Sequence, residues 1–152
     1  MQISCGLLQY VRTPSGVVVL LVHPGGPYWR NKDEGAWSIP KGLAENNEDL
    51  LAAALREFRE ETGLTPRPPF LPLESLQQRS GKLVHCWAFE GGADLSAFRS
   101  GHFDMEWPRG SGRTASFPEV DRAELFGLDE ARRRILPGQR GFLDELARRI
   151  GA

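Results

Sequence analysis

The stretch from residue 42 to residue 64 constrains this fold most, because it reads as a loop that begins with a glycine and leads into one amphipathic helix ended by a second glycine. At about 100° per residue, its apolar positions fall on one side of a helical wheel. Asn46 or Asn47 can cap its start, and Gly63 stands where a left-handed residue commonly ends a helix. The pattern predicts a helix over residues 48–62 whose buried positions are Leu50, Leu51, Ala54, Leu55 and Phe58.

Three carboxylates of this helix, Glu57, Glu60 and Glu61, fall at the edge of the apolar stripe rather than opposite it. Residues three or four apart on a helix are neighbours, so these side chains repel one another. A hard divalent cation such as Mg²⁺ binds carboxylate oxygens and would reverse that repulsion. The cluster is therefore a candidate metal site, with a solvated acidic face as the alternative.

Two further residues bear on this candidate site. Arg56 lies one turn before Glu60 and next to Glu57, so it forms either an ordinary surface ion pair or an orienting contact that fixes a carboxylate. Gly42 begins the loop that returns to the helix, and a glycine lets the backbone approach closely enough for a carbonyl to complete a metal shell.

The remainder of the chain predicts strands before and after this helix and two further helices at the end. A long loop over 24–36 precedes the short segment 37–39, a proline-rich connector covers 67–73, and a basic glycine-rich loop covers 108–116. This order of elements predicts an α+β fold with a mixed sheet. The predicted strands are 3–11, 17–23, 73–78, 82–90 and 102–107, and the predicted terminal helices are 129–135 and 138–150.

Composition excludes several classes of protein. The 152 residues fit one domain, and 19 basic against 20 acidic side chains exclude a protein that binds nucleic acid mainly through a basic surface. The longest apolar runs have six residues and no secretory signal follows Met1, so we expect no membrane span and a cytoplasmic location. Cys5 and Cys86 lack metal-ligand spacing and read as reduced packing residues.

The net charge of −1 averages two segments of opposite charge. Residues 45–61 contain six acidic residues and two arginines, a balance of −4. Residues 132–149 contain six arginines and two acidic residues, a balance of +4. We interpret the run 132–134 as a solvated helix face, since three consecutive residues cannot share one side of a helix.

The residues of the first segment resemble a known family. Gly42, five residues, Glu48, seven residues and then Arg56-Glu57-Phe58-Arg59-Glu60-Glu61-Thr62-Gly63-Leu64 satisfy the Nudix box, GX5EX7REUXEEXGU, with every fixed position filled. The resemblance implies one Nudix hydrolase domain over residues 1–152, with the box at 42–64. It also implies an α/β/α sandwich with a mixed sheet, similar to a bacterial branch that hydrolyses NTPs or dinucleoside polyphosphates.

The same resemblance implies the roles of the site residues. Glu57, Glu60 and Glu61, with the carbonyl of Gly42, would hold Mg²⁺ or Mn²⁺ and so activate a water that attacks phosphorus. The general base would be Glu60 or, as second choice, Glu119, and Arg56 would orient a carboxylate. Glu48 is a fixed acid of the box, and its distance of about two turns from Glu57 gives it a supporting role.

Candidate substrate-binding residues lie outside the box. Tyr28, Trp29, Arg30 and Lys32 combine aromatic rings with cations, which suits a base and phosphates, and Lys41 could meet a phosphate oxygen. Packing of the rings and solvation of the cations is the alternative. A later loop repeats this chemistry with Trp107, Arg109 and Arg113, whereas His23, His85 and His102 read as structural.

The resemblance thus favours a metal-dependent pyrophosphohydrolase acting on a small nucleotide, with NTPs or dinucleoside polyphosphates preferred and RNA 5′ ends least favoured because net charge is not basic. A nucleotide-sensing module without turnover is the competing class, and a structural metal-binding protein is a third. No membrane or double-stranded nucleic acid partner is expected, and a homodimer is compatible with the terminal helices.

Overall fold

The computed structural model describes residues 2–152, which form nine strands and three α-helices. The strands are β1 (Ile3–Thr13), β2 (Gly16–Pro24), β3 (Lys41–Leu43), β4 (Leu71–Pro72), β5 (Leu76–Gln77), β6 (Leu83–Glu90), β7 (His102–Glu106), β8 (Thr114–Pro118) and β9 (Val120–Gly127). The helices are α1 (Leu50–Thr62), α2 (Leu128–Arg134) and α3 (Arg140–Ile150), with a 3₁₀ turn at Pro137–Gln139 before α3.

Seven strands form one mixed sheet. Its order is β4-β6-β1-β2-β9, with β3 also paired to β1 and β5 to β6. The β1–β6 pair is parallel, from Ile3 opposite Leu83 to Tyr10 opposite Glu90, while the other pairs are antiparallel. Strands β7 and β8 form a separate antiparallel hairpin.

Helices cover both faces of the sheet. Side chains of each central strand point alternately to the two faces and are therefore buried on both. Leu7 of β1 packs with Ala54 and Phe58 of α1, whereas Leu8 faces the opposite layer with Phe142 and other residues of α2 and α3. The fold is therefore α+β, with a mixed sheet between helices, as the sequence predicts. Within residues 2–152, no helix is both long and apolar enough to cross a bilayer.

Helix α1 begins two residues later than predicted. Neither Asn46 nor Asn47 caps it: the Asp49 carboxylate accepts a hydrogen bond from the Ala52 N–H at 3.0 Å, and Asn47 occupies a left-handed turn with φ 62°. The predicted end is confirmed, because Gly63 has φ 69° and donates its N–H to the Arg59 carbonyl at 2.8 Å.

The edges of the sheet differ most from the prediction. Strand β9 was not predicted, because its alternation is weak and charged side chains interrupt its apolar positions. The predicted strand 73–78 is reduced to β5, and the predicted connector 67–73 contains β4. Pro72 is compatible with β4 because β4 is an edge strand, where a missing N–H costs little. Part of the predicted loop 108–116 belongs to β8.

Residues 132–134 form a solvated face only in part: Arg132 and Arg133 are exposed, as expected, whereas the expectation is wrong for Arg134. Arg134 pairs with Glu130 and Asp33, and its guanidinium lies 5.5 Å from the ring centre of Phe126. Asp33 also accepts a hydrogen bond from the Trp37 indole N–H at 2.7 Å. Arg134 therefore anchors the loop before β3 to α2, and the neighbouring arginines also form ion pairs, Arg132 with Asp144 and Arg133 with Glu130.

Both cysteines are free and buried, on opposite faces of the sheet, as packing residues should be. Burial raises the pKa of Cys5 to about 11 and raises that of Cys86 as well. Since the thiolate is the reactive form, neither thiol should react with Ellman's reagent in the native protein. We expect both thiols to be counted only after unfolding in guanidinium, and rapid native labelling of either would contradict the packing described.

Candidate active site

The Arg56 guanidinium links Glu48, which precedes α1, to the glutamates in the C-terminal half of α1. Its Nε and Nη2 donate to the two carboxylate oxygens of Glu48, each at 2.9 Å, in the planar two-point geometry that suits an arginine. Nη1 donates to Glu57 Oε1 at 2.7 Å, and Glu60 Oε1 lies 3.5 Å away. Arg56 therefore contacts three acids, and its shortest bond fixes Glu57.

Glu48 is a structural acid in this network. Its Oε1 also accepts the Glu45 N–H at 2.9 Å, so the carboxylate closes the turn that leads into α1. The hydrogen bonds from Arg56 and Glu45 lower the pKa of Glu48 to about 2. The supporting role expected at the junction of loop and helix agrees with these contacts.

Gly42 lies directly against the Glu57 carboxylate. A Cβ placed on Gly42 would be 2.0 Å from Glu57 Oε2 and 2.1 Å from its carboxyl carbon, so any side chain there would collide with the carboxylate. Burial raises the pKa of Glu57, and the Arg56 hydrogen bond opposes that effect. Close backbone approach at Gly42 is thus observed, while a metal-binding role for its carbonyl stays a prediction.

Glu61 contacts the backbone of Lys41, and burial shifts the pKa of both side chains. The backbone N–H of Lys41 donates to Glu61 Oε1 at 3.2 Å. Burial raises the pKa of Glu61 to about 8, although the contacts with Lys41 act in the opposite direction. Burial, with repulsion from Lys82, lowers the pKa of Lys41. A bound cation near Glu61 or a bound phosphate near Lys41 would supply the charge interactions that these side chains lose when burial removes their water.

Glu119 reaches the site from the segment between β8 and β9. Its N–H donates to the Gly101 carbonyl at 2.8 Å, and the Gly101 N–H donates to the Glu60 carbonyl at 3.1 Å. A Cβ on Gly101 would lie 3.4 Å from Glu119 Oε1 and 3.7 Å from the Glu60 carbonyl oxygen. The backbone therefore holds Glu119 beside the C-terminal end of α1, 58 positions from Glu61 in sequence.

A cavity of about 180 Å³ brings several predicted residues together. Trp29, Lys41, Glu61 and Glu119 line it, whereas Tyr28 and Arg30 do not. Tyr28 is 54% exposed and packs edge-on against Trp107, with ring centres 5.7 Å apart. The remaining lining residues, which the sequence did not single out, are Val22, Pro24, Ala36, Ser38, Ile39, Val120 and Leu136.

Two buried polar residues, Gln139 and His23, support this cavity's walls, and of the two only Gln139 was not singled out by the sequence. The Gln139 side chain accepts the Ile39 N–H at 3.0 Å and donates to Ser38 Oγ at 3.0 Å, which ties the 3₁₀ turn to the segment that leads into β3. His23 is fully buried, with Nδ1 2.8 Å from Asp121 and Nε2 2.6 Å from the Lys32 carbonyl. These contacts agree with a structural role for His23.

Carboxylate oxygens are the ligands that a hard divalent cation prefers, but the carboxylates of this site do not converge on a single ion position. In residues 2–152 no group of three or more His, Cys, Asp or Glu side chains surrounds a single ion position. The charges of Glu60 and Glu119 each add to the rise in the pKa of Glu57, and those of Glu57 and Glu119 to that of Glu61. The Glu60 side chain is 52% exposed, so it can rotate toward the other two. The donor set therefore fits Mg²⁺ or Mn²⁺ after side-chain rotation.

Sequence comparison matches residues 8–146 to the model of the NUDIX domain. Nucleoside diphosphate-linked moiety X motif 6 of Xenopus laevis is 42% identical over 66 residues, which are 43% of this chain and 28% of that protein. RNA pyrophosphohydrolase of Caulobacter vibrioides is 43% identical over 54 residues, covering 32% of this chain and 31% of that protein. The matched segments span less than a third of these relatives.

Solved structures match the fold over nearly the whole chain. The Ap4A hydrolase binary complex of C. elegans has a TM-score of 0.70 at 19% identity, covering 99% of this chain and 98% of that one. The NUDIX domain of Shewanella oneidensis NrtR, complexed with ADP ribose, has a TM-score of 0.63 at 17% identity, with coverage of 99% and 88%. At these identities the similarity establishes a shared fold.

The low pKa of Glu48 predicts a specific pH dependence of stability. A carboxylate whose pKa falls from 4.5 to about 2 on folding stabilises the fold above pH 4.5, and that contribution is lost as pH falls to about 2. Glu48→Gln should therefore lower the free energy of unfolding at neutral pH, with a difference that shrinks across this window. Urea unfolding at several pH values measures it, with the exposed Glu45→Gln as control. A difference independent of pH would contradict the network.

The contact between Gly42 and Glu57 predicts coupled substitutions. Gly42→Ala should cost about 1–3 kcal/mol of unfolding free energy, because the new methyl collides with the carboxylate. In a Glu57→Ala background the same change should cost much less, since the colliding atoms are gone. A double-mutant cycle by urea unfolding measures this coupling, and equal costs in both backgrounds would disprove the contact.

Proposed function

Since the chain belongs to the NUDIX domain family, we propose that it hydrolyses a pyrophosphate linkage in a nucleoside diphosphate joined to another group. The preferred substrates are NTPs and dinucleoside polyphosphates. The names of similar proteins support this class of reaction, since they include an RNA pyrophosphohydrolase and an Ap4A hydrolase. A nucleotide-sensing module that binds without turnover is the competing function.

One observation carries the proposal: the C-terminal half of α1 carries three glutamates, of which Glu61 lines a cavity together with Lys41 and Glu119. Burial, with repulsion from the neighbouring acids, raises the pKa values of Glu57 and Glu61, so holding these carboxylates here costs free energy. A site for cations and phosphates gives this arrangement a function.

Glu57, Glu60, Glu61 and the Gly42 carbonyl would hold the divalent cation, which is Mg²⁺ or Mn²⁺. When bound, this ion neutralises phosphate charge and lowers the pKa of a water. The chain prepares the ligands beforehand: Arg56 fixes Glu57 at 2.7 Å, and Glu48 fixes Arg56 through two bonds. A carboxylate that is already oriented loses less entropy when it binds the cation, so this network prepares the site before the substrate arrives.

Hydrolysis also requires a base that takes a proton from the attacking water. Glu60 is our first candidate because it lies on the glutamate face and is the most exposed of the three, with its side chain 52% in contact with solvent. Glu119 is the second, because it lines the cavity together with Glu61. The water oxygen bonds to phosphorus while the anhydride P–O bond breaks, and the departing phosphate carries the electron pair.

Lys41 and Trp29 supply the substrate contacts that the cavity offers. The partly desolvated Lys41 ammonium can pair with a phosphate oxygen, which restores charge interactions that burial removed. The Trp29 ring forms part of the wall and has the Lys32 ammonium 5.2 Å from its centre. An aromatic wall beside cations suits a nucleoside phosphate.

We predict that Glu60→Gln and Glu61→Gln each lower kcat for Mg²⁺-dependent hydrolysis by at least about 100-fold, the scale of a lost general base or charge-stabilising ligand. The measurement is the rate of product formation, with products identified by chromatography, for NTPs, dinucleoside polyphosphates and nucleoside diphosphate sugars. Glu74→Gln is the matched control, because Glu74 is exposed on the opposite edge of the sheet and should leave turnover unchanged.

The same panel separates the two functions. Near-normal turnover in both glutamine variants would show that the glutamate assignment is wrong. Tight nucleotide binding by the wild type without release of phosphate or pyrophosphate from any member of the panel would instead establish the sensing function.

A further inference from the structure

The buried side chain of His23, near the end of β2, lies between two segments that supply walls of the candidate active site. One segment is the loop after β2, which carries Trp29, and the other leads into β9 and carries Glu119. The neighbours of His23 along β2, Val22 and Pro24, line the cavity themselves. Since side chains alternate along a strand, the imidazole lies on the opposite side of β2 and affects the cavity through the residues that it binds.

The pairing of β2 with β9 contains one extra residue, which directs Asp121 to the imidazole. His23 lies opposite Arg122 and Pro24 lies opposite Val120, so Asp121 has no partner on β2. A bulge of this kind re-aims the side chain of the extra residue. Asp121 Oδ1 lies 2.8 Å from Nδ1 of His23, and this contact anchors the imidazole on β9.

The other ring nitrogen binds the turn that carries Trp29. Nε2 of His23 lies 2.6 Å from the Lys32 carbonyl oxygen. The Lys32 N–H in turn donates to the Trp29 carbonyl at 3.0 Å, which closes a turn over residues 29–32. The Lys32 ammonium also lies 5.2 Å from the centre of the Trp29 ring. One hydrogen bond from His23 therefore holds the turn, and the turn holds the indole that lines the cavity.

Both partners of the imidazole are hydrogen-bond acceptors. The Lys32 carbonyl has no proton to donate, and Asp121, whose side chain is 33% exposed, is a carboxylate at neutral pH. A neutral imidazole has one N–H and one bare nitrogen, so it would turn a lone pair toward one of these two oxygens. The two contacts therefore require a proton on each ring nitrogen of His23, and Asp121 balances the resulting charge.

Further charged side chains around the imidazole have partners of their own. On β9, Arg122 Nε lies 3.7 Å from the carboxylate oxygen that binds the ring, and its guanidinium lies 5.1 Å from the centre of the Trp37 ring. In the loop, Asp33 accepts the Trp37 indole N–H and pairs with Arg134 of α2. Asp121 is therefore the carboxylate that contacts the imidazole directly.

The segment that carries Glu119 is held independently of His23. The Glu119 carbonyl accepts the Gly25 N–H at 3.0 Å, and the Glu119 N–H donates to the Gly101 carbonyl at 2.8 Å. Loss of the bond between His23 and Lys32 should therefore release the turn of residues 29–32 and leave Glu119 in place.

We propose that His23, protonated on both ring nitrogens, is a positioning residue that holds the turn of Trp29 against β9 and so fixes the aromatic wall of the candidate active site. Its effect on turnover rests on the proposed function. A wall that is fixed before the nucleotide arrives loses less entropy on binding, so the effect falls on substrate affinity. The hydrogen bonds of His23 can be measured without any substrate.

The first measurement tests the protonation of the ring in the wild type and needs no variant of His23. Imidazole nitrogen NMR resonances are recorded at neutral pH, and His85→Gln and His102→Gln identify the other two rings by the signals that each removes. We expect a bound proton on both ring nitrogens of His23. A His23 ring with one unprotonated nitrogen would overturn the proposal.

The second measurement uses two substitutions that each keep one of the two contacts. The amide nitrogen of His23→Gln can replace Nε2 and donate to the Lys32 carbonyl, whereas that of His23→Asn can replace Nδ1 and donate to Asp121. Hydrogen exchange of the Lys32 N–H should accelerate at least about tenfold in His23→Asn and stay within about threefold of the wild type in His23→Gln. The Gly63 N–H, bonded at the end of α1, is the reference for a general loss of stability.

Equal exchange of the Lys32 N–H in the two variants would contradict the proposal. Acceleration at Gly63 as large as that at Lys32 in His23→Asn would also contradict it, because His23 would then stabilise the fold as a whole rather than position the turn.

Steady-state kinetics separates an effect on binding from an effect on chemistry. His23→Asn should raise KM at least about fivefold with kcat within about twofold of the wild type, and His23→Gln should retain the wild-type KM. A fall in kcat with unchanged KM would overturn the proposal. Absence of hydrolysis by the wild type on every nucleotide refutes the proposed function alone, and the NMR and exchange measurements then decide the role of His23.

Discussion

The contact between the Glu57 carboxylate and the backbone of Gly42 is the constraint on which the site depends. Gly42 belongs to β3, which pairs with β1 in the centre of the sheet, and Glu57 belongs to α1, which packs across that same strand. A carboxylate can lie this close only because position 42 has no side chain. Sheet, loop and helix are thereby joined at one acid, and Arg56 with Glu48 fixes the same acid from the other side.

Apolar packing stabilises the fold, whereas the distribution of charge destabilises it around the candidate site. Apolar layers on both faces of the mixed sheet hold α1 and the terminal helices, while the acids at the end of α1 repel one another. That repulsion stays tolerable because Arg56 and Lys41 lie among the acids, and a bound cation would remove most of it. The near-neutral total of the sequence is the sum of an acidic helix and basic segments elsewhere. In the basic segment 132–149, four of the six arginines form ion pairs, as Arg134 does with Asp33.

The sequence predicted the elements that carry strong periodicity and the residues that share one helix. Helix α1, its end at Gly63 and the grouping of its glutamates follow from spacing alone, and the central strands follow from apolar alternation. The cap at Asp49 and strand β9 did not, because several neighbouring polar residues can cap a helix and an edge strand with charged side chains has weak alternation. The joining of Gln139 to Ile39 and of Glu119 to the end of α1 depends on chain reversals that no local pattern encodes. Tyr28 and Arg30 illustrate the same limit, since their type suits a nucleotide but only the fold determines that neither lines the cavity.

The proposed function requires the glutamate face of α1 to bind a divalent cation at a site prepared by Gly42, Arg56 and Glu48. Calorimetric titration of the protein with Mn²⁺, without nucleotide, measures this binding, with Glu57→Gln/Glu61→Gln as the altered protein and Glu74→Gln as the control. We predict saturable binding in the wild type and in the control, and its loss in the double variant. Undiminished Mn²⁺ binding in the double variant would contradict the proposed cation site, because the ion would then be held elsewhere.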